Sequence, residues 1–340
     1  MPDTDAEQVL RASIHLAESF RSICRAHGFR EEERVPVISR HDPSVRYTNS
    51  TISALKPYLS EAVSERVFLI QPALRLRNFA HMKRTASMSP FGCAFMAFGL
   101  VAPVSDLEEV TAMAYELFDQ LHIAREDVEF RTFHSDTDLI ASAVLTGVEP
   151  RVSREDPSPF VHAFGMEGVA GRNANLHVTS GGASRAVANV IVIEREGVPI
   201  GLELACGITM YVTQLHDISH PVWAGPAAGV RPWGVDVMSA DALHSSVVLA
   251  IEDLPARSRG RGGNYRDFLR IIGANWGPQE DQLAMAASEI VTAELALRAA
   301  ASPLREGNSE LGHDEVVAKI IADYARVELS PADDDPPRAR

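Results

Sequence analysis

Four cations follow one short apolar run, and they pose the first chemical question. Residues 66–75 read Arg-Val-Phe-Leu-Ile-Gln-Pro-Ala-Leu-Arg, and Arg77, Lys83 and Arg84 come close behind Arg75. A guanidinium is a planar fork that meets phosphate or carboxylate oxygens in pairs, so arginines at a strand end suit an anion. The same residues also suit an ordinary surface hairpin with solvated charges, because charge clusters commonly mark exposed faces. Position decides between the two, and position depends on the elements around them.

Residues 67–69 are apolar β-formers and predict a buried strand. Residues 78–90 are polar and basic and end in the turn signal Ser89-Pro90. Residues 93–98 are apolar again. The expectation is a strand, a basic loop and a returning strand that present fixed cations. Upstream, Val9, Leu10, Ile14, Leu16, Phe20 and Ile23 predict a helix over 6–27 that stops at Gly28. Residues 34–39 read as a short strand, and 41–50 as a turn with a short extended piece. Downstream, a helical stripe runs from Leu107 to Leu121, residues 128–133 alternate as a strand, and 134–138 cap a helix that reaches Gly147.

Residues 148–160 are Pro-rich and predict a loop. Gly168, Gly171, Gly181 and Gly182 surround a possible strand at 175–178, without the spacing of a nucleotide loop. Residues 187–194, the turn Glu196-Gly197 and residues 200–206 form a hairpin, and a helix begins at Gly207. Strands that come mostly as antiparallel hairpins, with helices between them, predict an α+β fold. Residues 221–234, rich in proline and tryptophan, mark a boundary. Beyond it, helices are expected over 239–252, 265–274, 279–301 and 314–329, with a basic turn at 257–263 that would meet an acidic partner or be solvated. The expected division is a catalytic domain over 1–220, a helical domain over 221–330, and a disordered Pro/Asp-rich tail over 331–340.

A chain of 340 residues with 46% apolar residues can bury a large core. Its net charge of −14 disfavours non-specific nucleic-acid binding without a local basic patch. Cys24, Cys93 and Cys206 lack metal spacing and fit a reducing cytoplasm. The acidic start is no signal peptide, no apolar run spans a membrane, and the histidines show no paired metal spacing. The expectation is a cytoplasmic protein without a metal or a membrane partner, monomeric or homodimeric.

A distributed set of stretches then points to one family. Asp42-Pro43 with Tyr47-Thr48-Asn49, Gln71 to Arg75 with Phe95, Gly168 to His177, Asn189-Val-Ile-Val and Leu202 to Met210 follow one another in order, and Ser258-Arg-Gly-Arg-Gly with Tyr265 to Ile272 comes last. Together they resemble the catalytic domain of alanyl-tRNA synthetase, a class II aminoacyl-tRNA synthetase, from about residue 6 to residue 275. Gln71 to Arg75 is similar to the start of class II motif 2, and Leu202 to Met210 sits on motif 3. The last stretch looks like the start of the family's tRNA-contacting helices. No editing domain or zinc-ligand set fits what remains. The resemblance implies a class II synthetase-like antiparallel sheet flanked by helices, followed by a small helical domain.

It also implies roles. Arg75 would be the catalytic arginine that holds the α-phosphate of ATP or of an aminoacyl-adenylate. Phe95 would stack on adenine, with Arg84 and Gly207 also on the nucleotide side. Asn189 and Glu203 would hold the α-ammonium of alanine, Glu203 standing where the family has aspartate. His162 falls near the place of the alanine-pocket tryptophan. On their own residues, Phe95 fits a plain core position, Asn189 a satisfied buried amide, and Glu203 one half of a structural ion pair.

The departures concern the other half of the nucleotide. Met210 stands where motif 3 ends in the γ-phosphate arginine, Asn175 where the family has a glutamate for ATP and magnesium, and Ala97 and Ala205 replace a glutamate and a glycine. Losing a charge-assisted arginine–phosphate contact costs about 1.5–3 kcal/mol. An adenylate-like ligand has no γ-phosphate and loses nothing. The leading expectation is therefore an aminoacyltransferase that binds alanine or an alanyl donor, an adenosine-like molecule and in some reactions alanyl-tRNA. Specialised metabolism such as antibiotic biosynthesis would be its setting. The alternatives are ATP-dependent alanine activation, with Arg77, Lys83 or Arg84 replacing the lost arginine and ATP/Mg2+ held weakly, or a non-catalytic paralogue that binds an amino acid or tRNA.

Overall fold

Residues that alternate between two faces build the centre of the protein. In the computed structural model, which describes residues 5–38 and 41–328, nine strands form one sheet. They are β1 (Arg30–Glu31), β2 (Val67–Leu74), β3 (Ala94–Ala102), β4 (Val128–Phe133), β5 (Arg151–Ser153), β6 (Val161–Met166), β7 (Val169–Ser180), β8 (Ala183–Arg195) and β9 (Val198–Gly207). The order is β1-β2-β3-β9-β8-β7-β4-β5, with β6 also paired to β7. Neighbours are antiparallel except β1 with β2 and β4 with β5. Ten helices accompany the sheet: α1 (Ala6–Ala26), α2 (Ile52–Leu55), α3 (Leu76–Thr85), α4 (Leu107–Gln120), α5 (Thr137–Leu145), α6 (Ile208–Leu215), α7 (Val237–Ile251), α8 (Gly260–Asn275), α9 (Glu280–Ala300) and α10 (His313–Glu328). This is the α+β sheet with flanking helices, followed by helices, that the order of elements predicts. The two parallel outer pairs make the sheet mixed. The tail over 331–340 lies outside the described residues.

The two faces of the sheet differ. On one, Phe68, Ile70, Phe98, Leu100, Leu204, Val190 and Leu176 join the main core with Leu16 and Phe20 of α1, Leu117 of α4 and Tyr211 of α6. Phe20 stacks on Phe98 with ring centroids 4.2 Å apart. Each such side chain contributes roughly 1.5–3 kcal/mol by leaving water. On the other face a smaller cluster gathers Leu69, Val101, Ile191 and Ile193 under Ile52, Leu55, Leu59 and Val63. That cluster covers one part of the face; polar residues occupy the neighbouring positions.

Four local expectations are corrected. The basic stretch after β2 is not a loop but helix α3, which ends where Ala86 adopts a left-handed conformation at φ 51°. Phe79 and Met82, three residues apart, supply its buried face, and Phe79 packs 4.3 Å from Phe268. The crowd of cations hides this stripe in the sequence. The strand expected over 34–39 is absent among its described residues: β1 at 30–31 takes the place beside β2, and Arg34 makes a lone bridge to Leu304. The Val37 and Ile38 N–H groups donate instead to the Glu252 carboxylate, each at 2.8 Å, so they need no strand partner. The strand expected at 175–178 is the far end of a twelve-residue β7, and the loop over 148–160 contains β5. Gly171 belongs inside β7 because a Cβ there would meet Ile191 at 2.7 Å and Phe164 at 2.9 Å.

At 221–233, where the sequence marks a boundary, two 3-10 turns bury Pro221, Trp223, Pro226 and Ala227. The helices beyond share the main core with α1. An ionic network adds a second tie. Buried Arg298 donates to Glu294 at 2.9 Å and to Glu252 at 3.3 Å, and it also pairs with Glu310, which takes both terminal nitrogens of Arg34 at 2.7 and 2.8 Å. His244 completes the group on Glu294 at 3.0 Å. No described helix is long and apolar enough to cross a membrane.

Candidate ligand site on the polar part of the sheet face

Strand periodicity gathers the site. Side chains directly opposite one another, and side chains two apart along a strand, share a face. Glu203 of β9 lies opposite Val101 and Ile191; Ala205 lies opposite Gly99 and Asn189; Gly207 lies opposite Ala97. Asn189 in turn faces Asn175, and His162 faces Gly171 two residues before Asn173. Phe95, Ala97 and Gly99 follow the same face along β3, with Ala73 opposite Phe95 and Gln71 opposite Ala97. Phe95, His162, Asn175, Asn189, Glu203 and Gly207 therefore occupy one side of the sheet, the side away from the main core.

Arg75 enters this face from the end of β2, as the extended residue that precedes α3. Its Nε donates to the Asn49 carbonyl at 3.0 Å, and its guanidinium carbon lies 4.8 Å over the Phe95 ring. The side chain is solvent-exposed, and its terminal nitrogens have no partner among the described residues. A Cβ added at Gly207 would sit 3.6 Å from the Phe95 ring and 3.8 Å from Met210, so ring, glycine and thioether adjoin. An apolar plate with a cation above it is the result.

Glu203 is the most unusual member. It is 1% exposed, its Oε2 is buried, and that oxygen has no hydrogen-bond partner. Burial pushes its pKa up to about 8, while the positive charge of Arg75 pulls it down. At neutral pH the carboxyl is held largely in its neutral form, and it lacks a cation close enough to ionise it. A buried acid in that state favours a positively charged ligand group. Beside it, Asn189 donates to the Asn175 Oδ1, which also accepts from Asn173 at 2.9 Å, while Asn175 donates to the Pro159 carbonyl at 3.1 Å. His162, half-buried with its ring 5.3 Å from Phe164, has its pKa lowered by burial and then by Arg75. The charge of Arg75 thus reaches both Glu203 and His162 on this face.

The structure does not bring every predicted residue there. Arg84 is exposed, nine residues beyond Arg75, and about 13 Å of helical rise separates the two. Lys83 is paired with Asp267 at 2.7 Å. Arg77, in the first turn of α3, is the other cation whose charge reaches Arg75. Two residues to which the sequence assigned no role also lie here. Gln71 is fully buried with its Oε1 unpartnered, and Asn173 belongs to the amide group. The period-two count along β2 and β7 was the signal available for both.

The residues on this face offer few charges to magnesium and a triphosphate. Glu203 is the only acid among the residues gathered here; Asn175 offers an amide already engaged with its neighbours, and Met210 carries no charge. No group of three or more His, Cys, Asp or Glu side chains among the described residues converges as for a metal. Magnesium prefers carboxylates and phosphate oxygens in a strict octahedron.

No family model matches the chain, and no curated protein matches it. Solved structures do. Apo S. aureus histidyl-tRNA synthetase aligns with a TM-score of 0.39 and 11% identity over 65% of this chain and 66% of that one. Asparaginyl-tRNA synthetase from Pyrococcus horikoshii, complexed with asparaginyl-adenylate, aligns with a TM-score of 0.40 and 13% identity over 65% and 68%. A second structure of that synthetase gives 0.38 and 12% over 66% and 67%. The chain spans about two thirds of the length of these relatives, and the likeness is one of fold.

Proposed function

We propose that this chain binds an aminoacyl-adenylate-like ligand and acts as an aminoacyltransferase, with alanyl as the group transferred. The observation that carries this reading is the buried, unpartnered carboxyl of Glu203 on the same sheet face as Arg75 and Phe95. An acyl-adenylate has three demanding parts: an ammonium, a phosphoryl group and a purine. Glu203 suits the first, because an ammonium drives its ionisation and satisfies Oε2. The terminal nitrogens of Arg75 suit the second, as a fork for two phosphoryl oxygens. The face of Phe95 now covered by Arg75 suits the third, once the guanidinium turns to phosphate.

During transfer from an acyl-adenylate the carbonyl carbon exchanges its bond to the phosphate oxygen for one to an acceptor nucleophile; the acceptor gives up its proton to solvent, and the phosphate of AMP leaves with the bonding pair. Arg75 stabilises the charge that develops on that leaving group. Asn189 and its amide neighbours, together with His162, border the amino-acid end. The setting proposed is specialised metabolism rather than translation, with a small acyl-adenylate-like molecule as donor; from alanyl-tRNA the leaving group would be the ribose hydroxyl, and the part played by Arg75 would be binding alone.

ATP-dependent alanine activation is the second reading, and Met210 and Asn175 weigh against it. Titration with alanyl-sulfamoyl-adenosine tests the first. Saturable binding, weakened roughly ten- to hundredfold by Arg75→Ala, is expected. Absence of binding, or equal binding of the analogue without its amino group, overturns the proposal. Alanine-dependent exchange of pyrophosphate into ATP would mark the second reading. Binding without turnover on any acceptor would mark a non-catalytic paralogue.

A further inference from the structure

Outside this recess, a cavity of about 370 Å3 opens beside the start of α8. Three arginines, Arg257, Arg259 and Arg261, are among the residues that line it, together with the apolar Ile38, Leu254 and Pro255. We propose that this cavity is a binding site for a compact phosphate-bearing small molecule, one with two or more phosphate charges on a small apolar body.

The cations are arranged, not scattered. The Gly263 N–H donates to the Arg259 carbonyl at 3.2 Å as the first bond of α8, and the Arg257 N–H donates to the Gly262 carbonyl at 3.2 Å, so the segment before the helix folds back on its first turn. A Cβ at Gly262 would meet the Pro255 carbonyl at 2.5 Å and the Arg257 backbone at 2.9 Å; only glycine permits so close a return. Arg261 is anchored by donating to the carbonyls of Arg46 and Ile38. The side chains of Arg257 and Arg259 are exposed and have no hydrogen-bond or ion-pair partner among the described residues. The chain carries a net charge of −14, and among the described residues Arg21, Arg34, Arg66, Arg172 and Arg298 each donate to an acid. Two unneutralised arginines beside one cavity offer a multivalent anion more than one positive charge.

The shape favours a compact ligand over a long polyanion. Three cations that meet α8 or belong to it are already engaged: Lys83 with Asp267 at 2.7 Å, Arg270 with the same Asp267 at 3.9 Å, and Arg46 with Asn264 at 3.2 Å. A nucleic-acid strand needs a continued row of available cations to collect its phosphates. A ligand that ends within the cavity needs only Arg257 and Arg259, and Ile38, Leu254 and Pro255 give its organic part a surface.

Calorimetric titration of the full chain with inorganic pyrophosphate tests the site. Saturable one-to-one binding is expected, weakened about tenfold or more in the double variant R257Q/R259Q and changed less than about twofold by Arg75→Ala. Both replaced side chains are exposed, so unchanged circular dichroism and thermal unfolding should accompany the loss. Three results overturn the proposal: no saturable binding, binding that survives R257Q/R259Q, or a single-stranded oligonucleotide bound more tightly than pyrophosphate through the same arginines. Binding lost in Arg75→Ala but kept in R257Q/R259Q would assign the anion to the sheet recess, and would overturn this site without touching the proposed function.

Discussion

The guanidinium of Arg75 lies over the Phe95 ring, 4.8 Å from its centroid, while its Nε is tied to the Asn49 carbonyl at 3.0 Å. One nitrogen fixes the fork and two stay available. Arg75→Ala should therefore weaken alanyl-sulfamoyl-adenosine binding by about 1.5–3 kcal/mol, and Arg75→Lys should recover only part of it, since an ammonium neither stacks nor forks. Isothermal titration of the three proteins measures this; equal affinities would remove Arg75 from the site.

Glu203 predicts a pH dependence. Its folded pKa of about 8 lies above the ordinary 4.5, because burial penalises the charge. Below pH 4.5 the folded and unfolded chains both hold the proton. Between 4.5 and about 8 only the unfolded chain releases it, so stability should fall by on the order of 1 kcal/mol per pH unit in that window. Glu203→Gln removes this slope. Urea unfolding of both proteins from pH 5 to pH 8 checks it, and parallel curves would contradict it.

The same group should release a proton when ligand binds. At pH 7 an incoming ammonium ionises Glu203, and roughly one proton leaves per ligand bound. Calorimetry in two buffers of different ionisation enthalpy reads the number directly, and Glu203→Gln should bring it near zero.

Met210 adjoins Gly207 and the Phe95 ring without supplying charge. Met210→Arg should raise ATP affinity about tenfold or more and leave the sulfamoyl analogue nearly unchanged, because only ATP carries a γ-phosphate. Competition between the two ligands on the variant measures both effects. Unchanged ATP binding would mean that Met210 is far from the triphosphate path.

Two structural changes probe the scaffold. Glu196 and Gly197 join β8 to β9 with φ of 52° and 79°, the primed turn that suits twisted strands. Gly197→Ala has open space around it, so its cost of about 1 kcal/mol is conformational alone. Arg298→Met should cost more, about 3–5 kcal/mol, because it leaves Glu294, Glu252 and Glu310 without their shared cation. Chemical denaturation separates the two.

Sequence alone determined the elements whose cause is local. The stripe from Val9 to Ile23 makes α1, alternation over 128–133 makes β4, and Glu196-Gly197 closes a hairpin, because propensity and turn chemistry act between near neighbours. It also named Arg75, Phe95, Asn189 and Glu203, and the structure sets all four on one side of the sheet. Tertiary structure decided what depends on partners far along the chain. The basic stretch after β2 became α3 because Phe79 and Met82 found a core that includes Phe268. Residues 37 and 38 gave up a ladder because Glu252, some two hundred residues later, satisfied their N–H groups. Arg84 carries the same charge as Arg75, yet helical rise takes it away from the recess. The raised pKa of Glu203 follows from its burial, and only packing buries a carboxyl.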